Sequence, residues 1–204
     1  MQPEENMAKY TKNNYRNSKS KSPLPLILIG LGLIAIAVAL VIFIPKNGET
    51  IAASEPGEIP ASIPGEMNYP APELTLTNMQ DQTVSLADYR GQWVLVNNWA
   101  TWCPPCRAEM PELNAFYEAH QDEGFILVAI SSGDTKTQIA DFTQEYGLNF
   151  PMWQDPTSAS LRAFRMDYLP SSFVIDPSGT VRLAWTGAVS RETLETYVTP
   201  FLQQ

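Results

Sequence analysis

The chain has 204 residues, 44% of them hydrophobic, and a formal charge of −9, which leaves room for one ordinary domain plus attachments but not for two full domains. Five of its 13 Lys and Arg residues and two of its 22 Asp and Glu residues fall in the first 22 positions, leaving 8 basic against 20 acidic residues beyond them. Such an acidic region has no electrostatic reason to bind nucleic acid or anionic lipid, so nucleic acid is excluded as a partner and the acidic residues read as a solvated surface.

Residues 1–22 are polar, without apolar periodicity, and read as a disordered tail. Residues 23–45 carry no charge between Pro23 and Pro45, and Leu26 to Ile44 are apolar or Gly throughout. That matches the roughly twenty residues that cross a hydrocarbon core, so this segment predicts a single transmembrane helix seated in the lipid bilayer. It exceeds the apolar run of about 7–15 residues in a cleaved leader, and a polar tail precedes it, so it reads as an uncleaved signal anchor. Lys9, Lys12, Arg16, Lys19 and Lys21 precede it and only Lys46 closely follows. The expected topology is a cytoplasmic N-terminus with the remainder periplasmic or otherwise extracytoplasmic. Residues 46–72 hold Pro56, Pro60, Pro64, Pro70 and Pro72 among Gly, Glu and Ser, the composition of a semi-stiff linker.

A domain is predicted over 73–204. Glu73–Thr77 and Thr83–Leu86 alternate around a polar turn, predicting an N-terminal β-hairpin. Trp93–Val96 and Phe125–Ile130 are continuous apolar runs, as in strands buried on both faces. Between them, Pro104 to about Gln121 repeats Met110, Leu113, Phe116 and Tyr117 at helical spacing, with a kink expected at Pro111. Helices follow over 135–146, stopped by Gly147, and over 158–164. Ser172–Asp176 and Val181–Trp185 form a second hairpin, and Ser190 caps a last helix with Leu194, Tyr197, Val198 and Phe201 inward. The order gives an α/β architecture with a mixed central sheet flanked by helices.

Chemistry concentrates at Trp102-Cys-Pro-Pro-Cys106, which follows a buried strand, opens a helix and holds both cysteines of the chain. Three readings compete for the pair. A zinc site wants four N or S ligands, or three plus water, and the chain has one histidine. A structural disulfide between residues three apart closes a loop too short to constrain the unfolded chain much. A redox-active disulfide Cys103–Cys106 fits the placement best. A cysteine in a helix's first turn faces unpaired N–H groups and the positive end of the dipole, both of which favour the nucleophilic thiolate. Cys103 is therefore the attacking residue and Cys106, one turn on, the resolving one. Pro104 and Pro105 suit first-turn positions, where a missing N–H costs little, and Trp102 is a partly exposed apolar flank. No cofactor or metal is needed, since the pair is itself the redox centre.

The segment from Asn97 to Glu112, NNWATWCPPCRAEMPE, resembles the active-site stretch of the thioredoxin superfamily. More narrowly it is similar to the membrane-tethered thiol–disulfide oxidoreductases of the TlpA, ResA and CcmG type, and the resemblance covers about residues 71–204. A second segment, Tyr168 to Gly179 (YLPSSFVIDPSG), is similar to the family's stretch with a cis-proline before a strand. The resemblance implies a thioredoxin-like fold, with Pro170 carrying the cis bond and facing the cysteines. It also implies protein thiols and disulfides as partners, apocytochrome c among them, with a membrane thiol-reductant transporter to recharge the domain. The chain departs from the pattern twice. Asn97 stands where thioredoxins carry a buried Asp, and Pro104 where some of the tethered group carry Glu. Glu109 is then the nearest acid to take the Cys106 proton, although a helical Glu is ordinarily solvated; Arg107 and His120 read as surface. Two other functions compete with exchange: a redox-inactive binding module of the same fold, and a thiol peroxidase.

Overall fold

The computed structural model describes residues 62–203. The predicted tail, the transmembrane helix over 23–45 and most of the linker lie outside the described residues, among which no helix is long and apolar enough to cross a membrane.

Among the described residues, eight strands form one mixed sheet: β1 (Gly65–Pro70), β2 (Thr75–Asn78), β3 (Thr83–Ser85), β4 (Trp93–Trp99), β5 (Phe125–Ser132), β6 (Met152–Asp155), β7 (Ser171–Ile175) and β8 (Thr180–Thr186). Their spatial order is β1-β8-β7-β4-β5-β6-β2-β3. β4, β5 and β6 run parallel, joined through helices α1 (Pro104–His120) and α2 (Lys136–Tyr146), while β7 lies antiparallel to β4. Three shorter helices follow: α3 (Ala159–Phe164), α4 (Arg191–Tyr197) and α5 (Thr199–Leu202). The layout is a thioredoxin-like sandwich with the hairpin β2–β3 added at one edge through β6.

Alternation along β4 decides what lies on each face. Leu95 and Trp99 join Met110, Leu113 and Phe116 of α1, Ile139 and Phe142 of α2, and Leu194 of α4 in one core. Val94 and Val96 point the other way, into a second core with Val128, Phe164 of α3 and Phe173. Asn97 shares its face with Leu95 and Trp99, so the sheet turns this polar side chain under α1.

Three expectations need correction. Residues 65–70, read as linker, form edge strand β1 on β8, so the domain begins before Glu73. The prolines that suggested a linker are compatible with an outer strand, where a missing N–H breaks no interior ladder. Strand β6 was missed because four residues flanked by Pro151 and Pro156 give little periodicity. Pro111 lies inside the 17 residues of α1 and does not end it. The last helix divides at Val198, before Thr199-Pro200, and Tyr197 is partly exposed, not inward.

Candidate active site

β4 ends at Trp99, and a short turn, Ala100–Trp102, carries the chain to Cys103, the N-cap of α1. Pro104 and Pro105 occupy the first turn, where their fixed φ suits a helix start. Cys103 and Cys106 are joined as a disulfide with Cα atoms 5.3 Å apart. The Cys106 backbone N–H donates to Cys103 Sγ across 3.3 Å, so an otherwise orphaned helix N–H faces the sulfur that would carry the charge. Cys106 is fully buried and Cys103 is 4% exposed, which leaves Cys103 as the sulfur an incoming partner reaches first.

The turn before Cys103 is tied down at Thr101. Its N–H and hydroxyl donate to the two carboxylate oxygens of buried Asp134, at 2.8 and 2.7 Å. Its carbonyl accepts from Arg107 Nη1 at 3.2 Å. Asp134 follows Gly133, whose φ of +81° turns the chain after β5 and aims the carboxylate back at the turn. Arg107 also donates to the Tyr146 hydroxyl at 2.9 Å and lies over the Phe142 and Tyr146 rings. Sequence reasoning left Arg107 on the surface and did not single out Asp134. The only local signal was the Ser-Gly-Asp run after a buried strand.

Glu109 is the larger surprise. Expected in solvent, it is fully buried, because Cys106, Glu109, Met110 and Leu113 share the inward face of α1. Asn97 Nδ2 donates to its Oε1 at 2.8 Å and the Val189 N–H to its Oε2 at 3.1 Å. Asn97 Nδ2 also donates to Ser172 Oγ at 3.0 Å, since the two residues are register partners across β4 and β7. Burial pushes the Glu109 carboxyl up to about 8, with the Asn97 and Val189 hydrogen bonds opposing the rise. It stands one helical turn from Cys106, three residues along the same face.

The Leu169–Pro170 peptide is cis, and Leu169 lines a groove of about 510 Å³ together with Cys103, Trp102, Pro104 and Tyr168. Trp102 and Tyr168 are 67% and 72% exposed and line the same groove as the Cys103 sulfur. Pro170 itself is buried, its carbonyl accepting from the Gly187 N–H at 2.8 Å. His120 is a further correction. It is buried, its two ring nitrogens 2.9 and 3.1 Å from carboxylate oxygens of Glu123 and Glu195, which fastens the end of α1 to α4 far from the cysteines along the helix. Among the described residues no group of three or more His, Cys, Asp and Glu is placed to hold a metal.

Comparison with known proteins agrees with this geometry. Residues 67–184 match the AhpC/TSA family. The thiol-disulfide oxidoreductase ResA of Geobacillus kaustophilus (strain HTA426) is 35% identical over 128 residues, 63% of this chain and 74% of that protein. The ResA of Bacillus subtilis (strain 168) is 32% identical over 128 residues, 63% and 72% of the two chains. Among solved structures, a thioredoxin-family thiol:disulfide interchange protein from Chlorobium tepidum TLS superposes with a TM-score of 0.60 at 28% identity, over 68% of this chain and 99% of that one. A secreted thiol-disulfide isomerase from Corynebacterium glutamicum shares the fold at a TM-score of 0.64 and 21% identity, covering 74% of this chain and 96% of its own. With its two cysteines bonded at the start of α1 and these relatives around it, the chain belongs to the AhpC/TSA family of thioredoxin-fold proteins, among the thiol–disulfide oxidoreductases of the ResA type.

Proposed function

We propose that this protein is a membrane-tethered reductase of partner-protein disulfides, working on the extracytoplasmic side and serving cytochrome c maturation. The observation that carries the reading is the buried carboxyl of Glu109 one turn from Cys106, on a helix whose N-cap is Cys103. In the reduced enzyme the Cys103 thiolate attacks a sulfur of the partner's disulfide. That bond breaks, a mixed disulfide forms, and one partner thiolate leaves. Cys106 then attacks Cys103 Sγ, releasing the second partner thiol and restoring the Cys103–Cys106 disulfide, so two electrons pass to the partner. Cys106 must lose its proton for this second step. A carboxylate whose proton affinity is raised to about 8 holds a proton far more tightly than a solvated Glu, which narrows the gap to a thiol and favours the transfer.

Trp102, Pro104 and Pro105 shape access, the cis bond at Pro170 sets Leu169 in the groove wall, and Asn97 orients the Glu109 carboxyl. The tether at residues 23–45 rests on their apolar length and on the basic residues before them. Apocytochrome c as partner, and a membrane thiol-reductant transporter as the source of electrons, rest on the resemblance to the tethered oxidoreductases. A Cys106→Ser chain expressed in its native cell tests this, because it stalls at the mixed disulfide. The expected product is a covalent adduct of Cys103 with an apocytochrome c, released by dithiothreitol and absent in Cys103→Ser. Adducts that contain no cytochrome would overturn the pathway, and the absence of any adduct would overturn the exchange reaction.

A further inference from the structure

The groove that exposes Cys103 is lopsided in its chemistry. Its walls include two strongly exposed aromatic rings, Trp102 and Tyr168, and the exposed carboxylate of Asp167, with no Lys or Arg among its lining residues. On the far side of Trp102 a shallow depression carries two more exposed carboxylates, Asp141 and Glu145. The one cation there, Arg107, is already engaged with the Thr101 carbonyl, the Tyr146 hydroxyl and two rings, and lies 4.0 Å from Glu145. A carboxylate therefore lines the groove that holds the reactive sulfur, two more line the depression that shares Trp102 with it, and two exposed aromatic rings line the groove itself.

From this we infer that the groove selects partner segments in which basic residues flank the cysteine under attack. The inference rests on the exchange reaction proposed above and names its substrate class. A Lys or Arg beside the partner's cysteine places its stem along Trp102 or Tyr168 and its charge over the ring face, within reach of Asp167 or Asp141. An acidic flank at the same position meets like charge, and a neutral one forgoes the ring contact. The domain's excess of acidic residues acts in the same direction over longer range and speeds encounter with a basic segment at low ionic strength.

The test uses the full chain in a non-ionic detergent, reduced at Cys103 and Cys106 and freed of reductant. It is mixed with three peptides that differ only in the residues flanking an internal Cys-Xaa-Xaa-Cys disulfide: Lys, Ser or Glu. Each second-order rate is divided by the rate of the same peptide with dithiothreitol, which removes the peptide's own reactivity. The expected ratio of Lys-flanked to Glu-flanked peptide is about tenfold at low salt, from one ring–cation contact and one exposed charge pair. It falls to about threefold or less in 0.5 M NaCl. Asp167→Asn and Tyr168→Ala each reduce the low-salt ratio by about two- to threefold. Corrected rates within twofold of one another, or a preference for the Glu-flanked peptide, would overturn the selectivity while leaving the exchange reaction standing. Failure of all three peptides to oxidise the pair would overturn the exchange reaction and the selectivity with it.

Discussion

Asn97 Nδ2 lies 2.8 Å from Glu109 Oε1 with both side chains fully buried, and this bond joins the central strand β4 to the active-site helix α1. The carboxyl group it holds has a second donor in the Val189 N–H and no cation among the causes that shift it. At pH 7 it is protonated in most molecules, and it takes the Cys106 proton only in the minor fraction in which it is ionised. Glu109→Gln keeps the shape and removes the base. The second exchange step then slows by at least about 10²-fold, and the mixed disulfide with a model peptide accumulates. Rapid acid quenching and mass spectrometry of the intact protein check this. A variant that resolves at the normal rate would show that Glu109 does not take the proton.

The same carboxyl makes stability depend on pH in a stated direction. Its folded value, about 8, lies above the ordinary 4.5. The folded chain therefore holds the proton more tightly than the unfolded one, and this contribution is fully present below about pH 4.5. It is lost progressively as pH rises toward 8, and constant above it. The loss is on the order of a few kcal/mol. Glu109→Gln should therefore raise the melting temperature at pH 8 relative to the parent while leaving the two nearly equal at pH 4.5. Asn97 Oδ1, buried without a partner, can receive the new amide if the Asn97 side chain turns over. Calorimetry of both proteins across that range decides it, and a Gln variant that is less stable at pH 8 would contradict the assignment.

Asp134 is predicted to hold the turn that presents Cys103. Asp134→Ala leaves the Thr101 N–H without its acceptor and frees the Ser131 hydroxyl, which donates to Asp134 at 2.5 Å. Loss of hydrogen bonds to a buried charge costs about 2–3 kcal/mol or more. The alkylation rate of Cys103 in the reduced protein should also shift its midpoint to higher pH, because the Cys106 N–H no longer meets a fixed sulfur. Iodoacetamide kinetics against pH, beside a melting curve, separate this from simple destabilisation. An unchanged midpoint would mean that the turn keeps its geometry without Asp134.

Much of this was legible in the sequence because it depends on local rules. The buried strand, the Cys-Pro-Pro-Cys helix start, the cap at Ser190 and the Gly147 stop are each fixed by residues within a few positions of one another. What escaped depends on distant partners. Glu109 and His120 look like solvated helical residues until Asn97 and Val189, or Glu195, are brought against them from elsewhere in the chain. Strand β1 was hidden for the same reason. Nothing in Gly65–Pro70 alternates cleanly, and only pairing with β8 makes it a strand.

That strand gives a further prediction. A chain that begins at Glu73 lacks β1 and exposes the edge of β8, so it should melt about 5 °C or more below one that begins at Ser62, on the usual relation of stability to melting temperature for a domain of this size. Thermal unfolding followed by circular dichroism measures it directly. Equal melting temperatures would return residues 65–70 to the linker.

The central claim is that Cys103 and Cys106 are a reducing couple, and the reduction potential of that pair in the full chain tests it most directly. The protein is equilibrated with dithiothreitol or glutathione buffers, and the free thiols are counted after alkylation. A potential of about −250 mV or lower, close to the roughly −270 mV of thioredoxin, is the predicted result. A value near the roughly −120 mV of a strong oxidant would contradict the reductase, and a disulfide that exchanges with no thiol buffer would be structural.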